Sequence, residues 1–247
     1  MSAFGDISNG AGERLDYTVH PGTGHSNQLV LIGHGVTGNK DRPIVVAVAE
    51  AIARLGIPAL RFSFAGNGES GGKFEDCTIS KEVDDLGAIL DAVGNETSVV
   101  YIGHSMGGAV GTLRAARDPR IKALVSLAGM VHTRAFSERE FGMETPGEGC
   151  MWEEPSCPLS QTYVDDMAAI ESVADKAAAI RVPWLFVHGT EDDVVPIQDT
   201  HDVLAKSTEN KTFLKVEGAD HVFSGEHQPT TATSVADWIK KTFQGLS

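Results

Sequence analysis

Apolar residues in this chain follow two patterns that alternate along its length. Residues 29–32, 58–64, 98–102, 121–127, 182–187 and 212–216 form short, mostly apolar runs rich in β-branched and aromatic side chains, which predict strands of a buried sheet. Between these runs, apolar positions recur at helical spacing over residues 43–55, 80–93, 106–117 and 197–206, and a last helix runs through Trp238. Pro43 suits the first turn of the first helix, where its missing N–H costs nothing. Ser80 is placed to cap the second, with Glu82, Asp84 and Asp85 near the positive end of its dipole. Residues 14–19 alternate like a half-buried strand and are expected to lie antiparallel at the sheet edge. Strands alternating with helices in this way predict an α/β fold, with a mostly parallel central sheet and helices on both faces.

The rhythm stops at residue 133 and resumes at 182. The interval holds Pro146, Gly147, Gly149, Pro155 and Pro158, one helical stretch at about 164–179, and no convincing core strand. The expected organisation is therefore a core of residues 1–132 and 182–247 carrying a cap or lid insertion of residues 133–181, since irregular insertions of this size usually face substrate. Aromatic and flexible apolar side chains within it can line an acyl or aryl pocket, and Trp152 and Tyr163 are the candidates for substrate contact. The insertion also carries ten acidic and four basic residues, a field that disfavours strongly anionic substrates.

Composition narrows the class of partner. A chain of 247 residues with 41% hydrophobic and 22% charged residues can bury a large single-domain core. Its net charge of −14 repels nucleic acid and anionic lipid head groups, so neither nucleic acid nor membrane is expected as a partner. The longest mostly apolar run, residues 123–131, is about half of a membrane span. The amino-terminal residues show neither the basic nor the apolar region of a secretory signal. Cys77, Cys150 and Cys157 lack CxxC spacing, which suits reduced thiols and a cytoplasmic location, while pairing of Cys150 with Cys157 stays open.

The chemistry is concentrated in a few places. Gly103-His104-Ser105-Met106-Gly107 is a G-x-S-x-G sequence at the junction of a predicted strand and a predicted helix. A serine there sits on a sharp turn with its hydroxyl outward, and the helix N-terminus favours negative charge beside it. Serine needs a base, and in this architecture the acid and then the histidine follow it along the chain. Glu191, Asp192 and Asp193 stand just past a strand, and one of them can serve as the acid. Of the histidines beyond them, His201 lies inside a predicted helix and His227 just ahead of one. His221 lies in a loop after a strand, where a base belongs. The amide of Met106 and that of Val36, in the glycine-rich loop 33–38, are the candidates for an oxyanion hole. His34 is expected to orient that loop.

Residues 66–71 match the dinucleotide pattern G-x-G-x-x-G, but the next helix starts too late to receive a pyrophosphate. No histidine pair has the spacing of a catalytic zinc site, so neither cofactor nor metal is expected.

Taken in order, His34-Gly35, Arg61-Phe62-Ser63-Phe64-Ala65-Gly66-Asn67-Gly68-Glu69-Ser70, Gly103 to Gly107, His188 to Pro196 and Gly218-Ala219-Asp220-His221 resemble the α/β-hydrolase superfamily. The segment His34 to Lys40 and the size of the insertion are similar to the cinnamoyl/feruloyl-esterase and serine-aminopeptidase-like branches. Ser63 stands where that family often has aspartate. The resemblance implies an α/β-hydrolase fold and a serine esterase mechanism, with Ser105, Asp192 and His221 as triad and Asp193 as the alternative acid. It implies a small-molecule ester substrate, small to medium and uncharged, with an acyl, aryl or hydroxycinnamoyl group. An aminopeptidase or amidase activity and a non-catalytic receptor on the same fold are the alternatives. Nothing in the sequence indicates an oligomeric state.

Overall fold

The computed structural model describes residues 4–23, 27–207 and 210–246. Two short strands, β1 (Ile7–Ser8) and β2 (Arg14–Leu15), pair antiparallel ahead of the main sheet. There follow β3 (Tyr17–His20), β4 (Gln28–Gly33), α1 (Pro43–Arg54), β5 (Ala59–Phe62), α2 (Ile79–Val93), β6 (Ser98–His104), α3 (Met106–Ala115) and β7 (Ile121–Leu127). After a longer excursion come β8 (Trp184–Gly189), α6 (Ile197–Lys206), β9 (Lys211–Val216) and α7 (His227–Leu246). The main sheet has seven strands in the order β3-β5-β4-β6-β7-β8-β9, and only β3 runs antiparallel to its neighbour.

The expected mostly parallel α/β-hydrolase sheet with helices on both faces is what forms. Strands β6, β7 and β8 are buried along almost their whole length, which explains their continuous apolar runs. Helix α1 buries Ile44, Val45, Val48, Ala49 and Ile52, one apolar stripe on an otherwise partly exposed helix. Each such large side chain contributes about 1.5–3 kcal/mol on burial. The stripes of α1 and α7 close one hydrophobic core on one face of the sheet. Helices α2 and α3 close a second on the other face.

Helix α2 corrects one expectation: its cap is Thr78, not Ser80, and the Thr78 hydroxyl accepts from the Lys81 amide at 3.1 Å. Both residue types cap well, and the one that stands directly before the buried Ile79 is used.

Between β7 and β8 the chain forms two helices rather than the single one expected. Helix α4 (Thr133–Phe141) is followed by an irregular segment and α5 (Gln161–Ile170). The second helix stops at Glu171, whose φ of 60° breaks it, and residues 174–179 continue as a separate 3₁₀ turn. No pairing beyond an isolated bridge between Cys150 and Pro158 occurs there among the described residues. All three cysteines are free thiols.

The chain leaves β4 for β5 on one side and later returns to β6 on the other. Such a reversal opens a crevice at the carboxyl ends of the two strands, the usual ligand position in open α/β sheets. Gly33, the last residue of β4, pairs in register with Gly103, the residue before the last of β6. The loops that follow them carry Val36 and Ser105.

Candidate active site

Ser105 joins β6 to α3 with φ 55° and ψ −120°. Side chains rarely adopt such a backbone, which costs about 1–3 kcal/mol and persists only where its surroundings hold it. Here the Ser105 amide donates to the Leu127 carbonyl at 2.9 Å. The Ser105 carbonyl accepts from the amides of Gly108 at 2.9 Å and Met130 at 3.0 Å. The glycines of the motif have a steric origin. A Cβ on Gly103 would lie 2.0 Å from the Gly107 carbonyl oxygen, and one on Gly107 would lie 2.7 Å from the His34 carbonyl oxygen.

The loop after β4 passes directly against the serine. A Cβ on Gly35 would fall 2.7 Å from Ser105 Cβ and 3.2 Å from its Oγ. His34 is fully buried and fixes this loop. Its Nδ1–H donates to the Gly35 carbonyl at 2.9 Å, and its Nε2 accepts from the Phe64 amide at 3.1 Å. Burial, partly offset by the Gly35 carbonyl, pushes the imidazole down to about 4, so it is neutral at physiological pH and serves as a brace. Ser63 supports the same loop by accepting from the Lys40 amide at 3.1 Å. Arg61 adds a bond to the Lys40 carbonyl at 2.9 Å and an ion pair with Asp41. Among the described residues the amides of Val36 and Met106 donate to no protein acceptor. Val36 flanks the serine on the loop side, and Met106 is the first residue of α3.

His221 lies between β9 and α7. Its Nδ1 is 2.9 Å from Asp192 Oδ2 and 3.1 Å from Oδ1, so Nδ1–H donates to the carboxylate and Nε2 is left as an acceptor. The side chain of Asp192 is wholly shielded from solvent, and it has further partners. The amides of Val194 and Val195 donate to Oδ1 at 3.0 and 2.8 Å. Burial by itself would raise this carboxyl, but the bonds from His188 and His221 outweigh it and hold it well below the usual carboxylate range. Glu191 and Asp193, by contrast, are exposed.

Two histidines at this site escaped the sequence reading. His188, on β8, has no exposed side-chain surface, and its Nε2 lies 3.1 Å from Asp192 Oδ2 and 2.9 Å from the Val195 carbonyl. Both of those atoms only accept, so Nε2 carries the proton, while the other ring nitrogen meets the Thr200 hydroxyl at 2.8 Å. His104 donates Nε2–H to the His221 carbonyl at 3.0 Å, with ring centroids 5.0 Å apart. Burial, then the neighbouring His221, pushes His104 down to about 3. A histidine inside a buried apolar strand needs a partner, and that requirement is the signal available in the sequence.

Ser105, His104 and His221 open on a cavity of about 630 Å³, within the range of small-molecule sites. Among the described residues Ser105 Oγ makes no hydrogen bond to His221, although the two share this cavity. Catalytic bonds of this type often close only around a substrate. Trp152 lines the cavity too, held by a 3.1 Å bond from its indole N–H to Glu140 and by edge contact with Phe141. Tyr163 does not line it. It is buried beneath and borders a separate, water-sized chamber together with Val36 and Met106. Among the described residues, no cluster of three or more His, Cys, Asp or Glu could hold a metal ion, and no helix is long and apolar enough to cross a membrane.

The chain has relatives of known structure and sequence. Est1E from Butyrivibrio proteoclasticus, solved with ferulic acid bound, superposes with a TM-score of 0.83 at 26% identity, covering 97% of this chain and 99% of that one. Alpha/beta hydrolase domain-containing protein 10 from mouse shares the fold with a TM-score of 0.78 at 21% identity, covering 96% of this chain and 98% of that one. The bovine mitochondrial palmitoyl-protein thioesterase ABHD10 is 28% identical over 228 residues, 87% of this chain and 71% of its own length. The sequence profile of the prolyl oligopeptidase family matches residues 47–246 and so takes in every strand from β5 onward, Ser105, the Asp192 loop and His221. On that match, and with an α/β-hydrolase sheet beneath it, the chain belongs to the prolyl oligopeptidase family.

Proposed function

We propose that this protein is a serine hydrolase that cleaves carboxylic esters through an acyl-enzyme on Ser105. One observation carries the reading: a strained serine and an aspartate-bound histidine, far apart in sequence, open on one cavity beside two amides that lack a partner among the described residues. His221 Nε2 takes the Ser105 proton as Oγ attacks the acyl carbon. The amides of Val36 and Met106 hold the tetrahedral oxyanion, and Asp192 stabilises the imidazolium. Collapse expels the alcohol with the proton from His221. Water then attacks the acyl carbon, giving its proton to His221, and the free acid leaves as Ser105 regains its proton.

The cavity suits a small to medium ester with an acyl or aryl group. Support comes from the volume, from Trp152 on its wall and from Est1E and ABHD10, an esterase-named and a thioesterase-named relative. The core of residues 1–132 and 182–247 carries the triad and both oxyanion amides in this reading, and the cap of residues 133–181 covers the substrate. Amide hydrolysis is the second reading, favoured by the oligopeptidase profile.

A fluorophosphonate probe followed by peptide mapping tests the mechanism, with label on Ser105 as the expected result. Folded protein that resists labelling would refute it. Rates on p-nitrophenyl esters against aminoacyl anilides separate the two readings, and faster ester turnover is expected.

A further inference from the structure

We propose that Glu82 and Tyr163 form the polar end of the acyl-binding site and select acyl groups that carry a hydroxyl. The inference rests on the hydrolase reading above and deepens it. The two side chains reach the same chamber from different parts of the fold, Glu82 from α2 and Tyr163 from α5. Glu82 is 1% exposed and Tyr163 is 3% exposed. Among the described residues, Glu82 Oε2 and the Tyr163 hydroxyl are buried without a hydrogen-bond partner. Buried polar atoms are nearly always paired, so two orphans facing one space point to a missing partner.

Size and position define that partner. The chamber holds about 10 Å³, enough for one water-sized group. It is bordered by Val36 and Met106, the residues whose amides face an acyl oxygen in the proposed mechanism. Val36 and Thr37 also border the large cavity that Ser105 opens on, so the two spaces share a wall at the reacting centre. In this proposal an acyl chain seated on Ser105 passes Val36 and Thr37 to place one small substituent in the chamber.

The chemistry of the walls selects a hydroxyl. Burial, then the charges of Asp85 and Asp166, push the Glu82 carboxyl well above its ordinary range and favour its protonated form. Burial does the same to the Tyr163 phenol. Each is then a neutral group that both donates and accepts. A hydroxyl also donates and accepts, and it can satisfy both. A carboxylate would meet the field of Asp85 and Asp166, and a methyl group would leave both orphans unpaired. Sites built to bond a substrate hydroxyl discriminate strongly against analogues that lack it.

The test uses matched ester pairs on the full chain: methyl butanoate with methyl 3-hydroxybutanoate, and methyl 3-phenylpropanoate with its 4-hydroxyphenyl analogue. Methyl 3-aminobutanoate is the ammonium control. The wild type is expected to favour the hydroxylated member of at least one pair by about ten-fold or more in kcat/KM. Tyr163→Phe and Glu82→Leu should each bring that ratio toward unity, and Glu82→Gln, which still donates and accepts, should keep most of it. Because each ratio is taken within one variant, partial misfolding cancels, and phosphonate titration counts the working sites. A ratio near one in both pairs with Ser105 labelled overturns this proposal alone and leaves a chamber that holds only water. Preference for the amino ester also overturns it. Absence of both labelling and turnover takes the hydrolase reading down with it.

Discussion

Replacing Asp192 by alanine should remove the support of four groups at once. His221 loses both of its carboxylate contacts, so neither its tautomer nor its imidazolium is stabilised. His188 Nε2–H keeps only the Val195 carbonyl, and the Val194 and Val195 amides lose their acceptor. For a buried triad aspartate the loss is about four orders of magnitude in kcat, or about 5 kcal/mol of transition-state stabilisation. Leaving buried donors unpaired costs a further ~1–3 kcal/mol of folding stability. Asp193→Ala removes an exposed side chain and should change stability by no more than about 0.5 kcal/mol. The assay is ester turnover normalised by active-site titration, with urea unfolding of the same samples. Equal losses in the two variants would refute the reasoning. So would an Asp192→Ala enzyme that stays within ten-fold of the wild type.

Three further outcomes follow from other parts of the structure. Gly103→Ala should cost stability by about 1–3 kcal/mol or more, since its Cβ would meet the Gly107 carbonyl oxygen at 2.0 Å. Gly10→Ala, in open space, serves as the control in thermal melts, and similar shifts for both would contradict the packing argument. Glu82→Gln should raise the melting temperature more at pH 8 than at pH 5. The raised carboxyl contributes stability that is complete below its unfolded value and lost as pH rises through the folded one. A pH-independent shift would count against a buried neutral Glu82. His34 and His104 act in the opposite range. Their folded values of about 4 and about 3 lie below the ordinary 6.5, so their contribution is present above 6.5 and is lost as pH falls toward 4. Each adds a slope of up to ~1.4 kcal/mol per pH unit. NMR titration that shows either ring protonating near pH 6.5 in the folded protein would disprove this.

What could be read from the sequence depended on how much of each signal was local. The sheet was legible because β6, β7 and β8 are buried on both faces and so are apolar without interruption. Ser105 was legible because the steric demands on Gly103 and Gly107 fix their identity within five residues. Helix α4 was not, since it buries Thr133 and Ser137 along with Phe136 and Phe141 and shows no clear apolar stripe. The break at Glu171 depends on a left-handed backbone at a residue type that does not advertise it. His188 and His104 were missed because their partners are distant groups or backbone carbonyls, which sequence spacing does not reveal. Tyr163 was read as a pocket residue, but only the folded chain places it in a chamber apart from the main cavity.

The sheet keeps two hydrophobic cores apart, and this separates two kinds of heritable change. The loops bearing Val36 and His221 are each continuous with a helix of one core, α1 and α7. Glu82, Tyr163 and Met151, which border the small chamber, come from elements packed in the other. Substitutions that reshape the chamber therefore repack away from α1 and α7, but they press on Val36 and Met106, which border it and pack with the same core. A library confined to α2 and α5 thus varies the chamber while leaving the helix that follows His221 untouched, and a loss of turnover within it would report on Val36 and Met106, which share that wall.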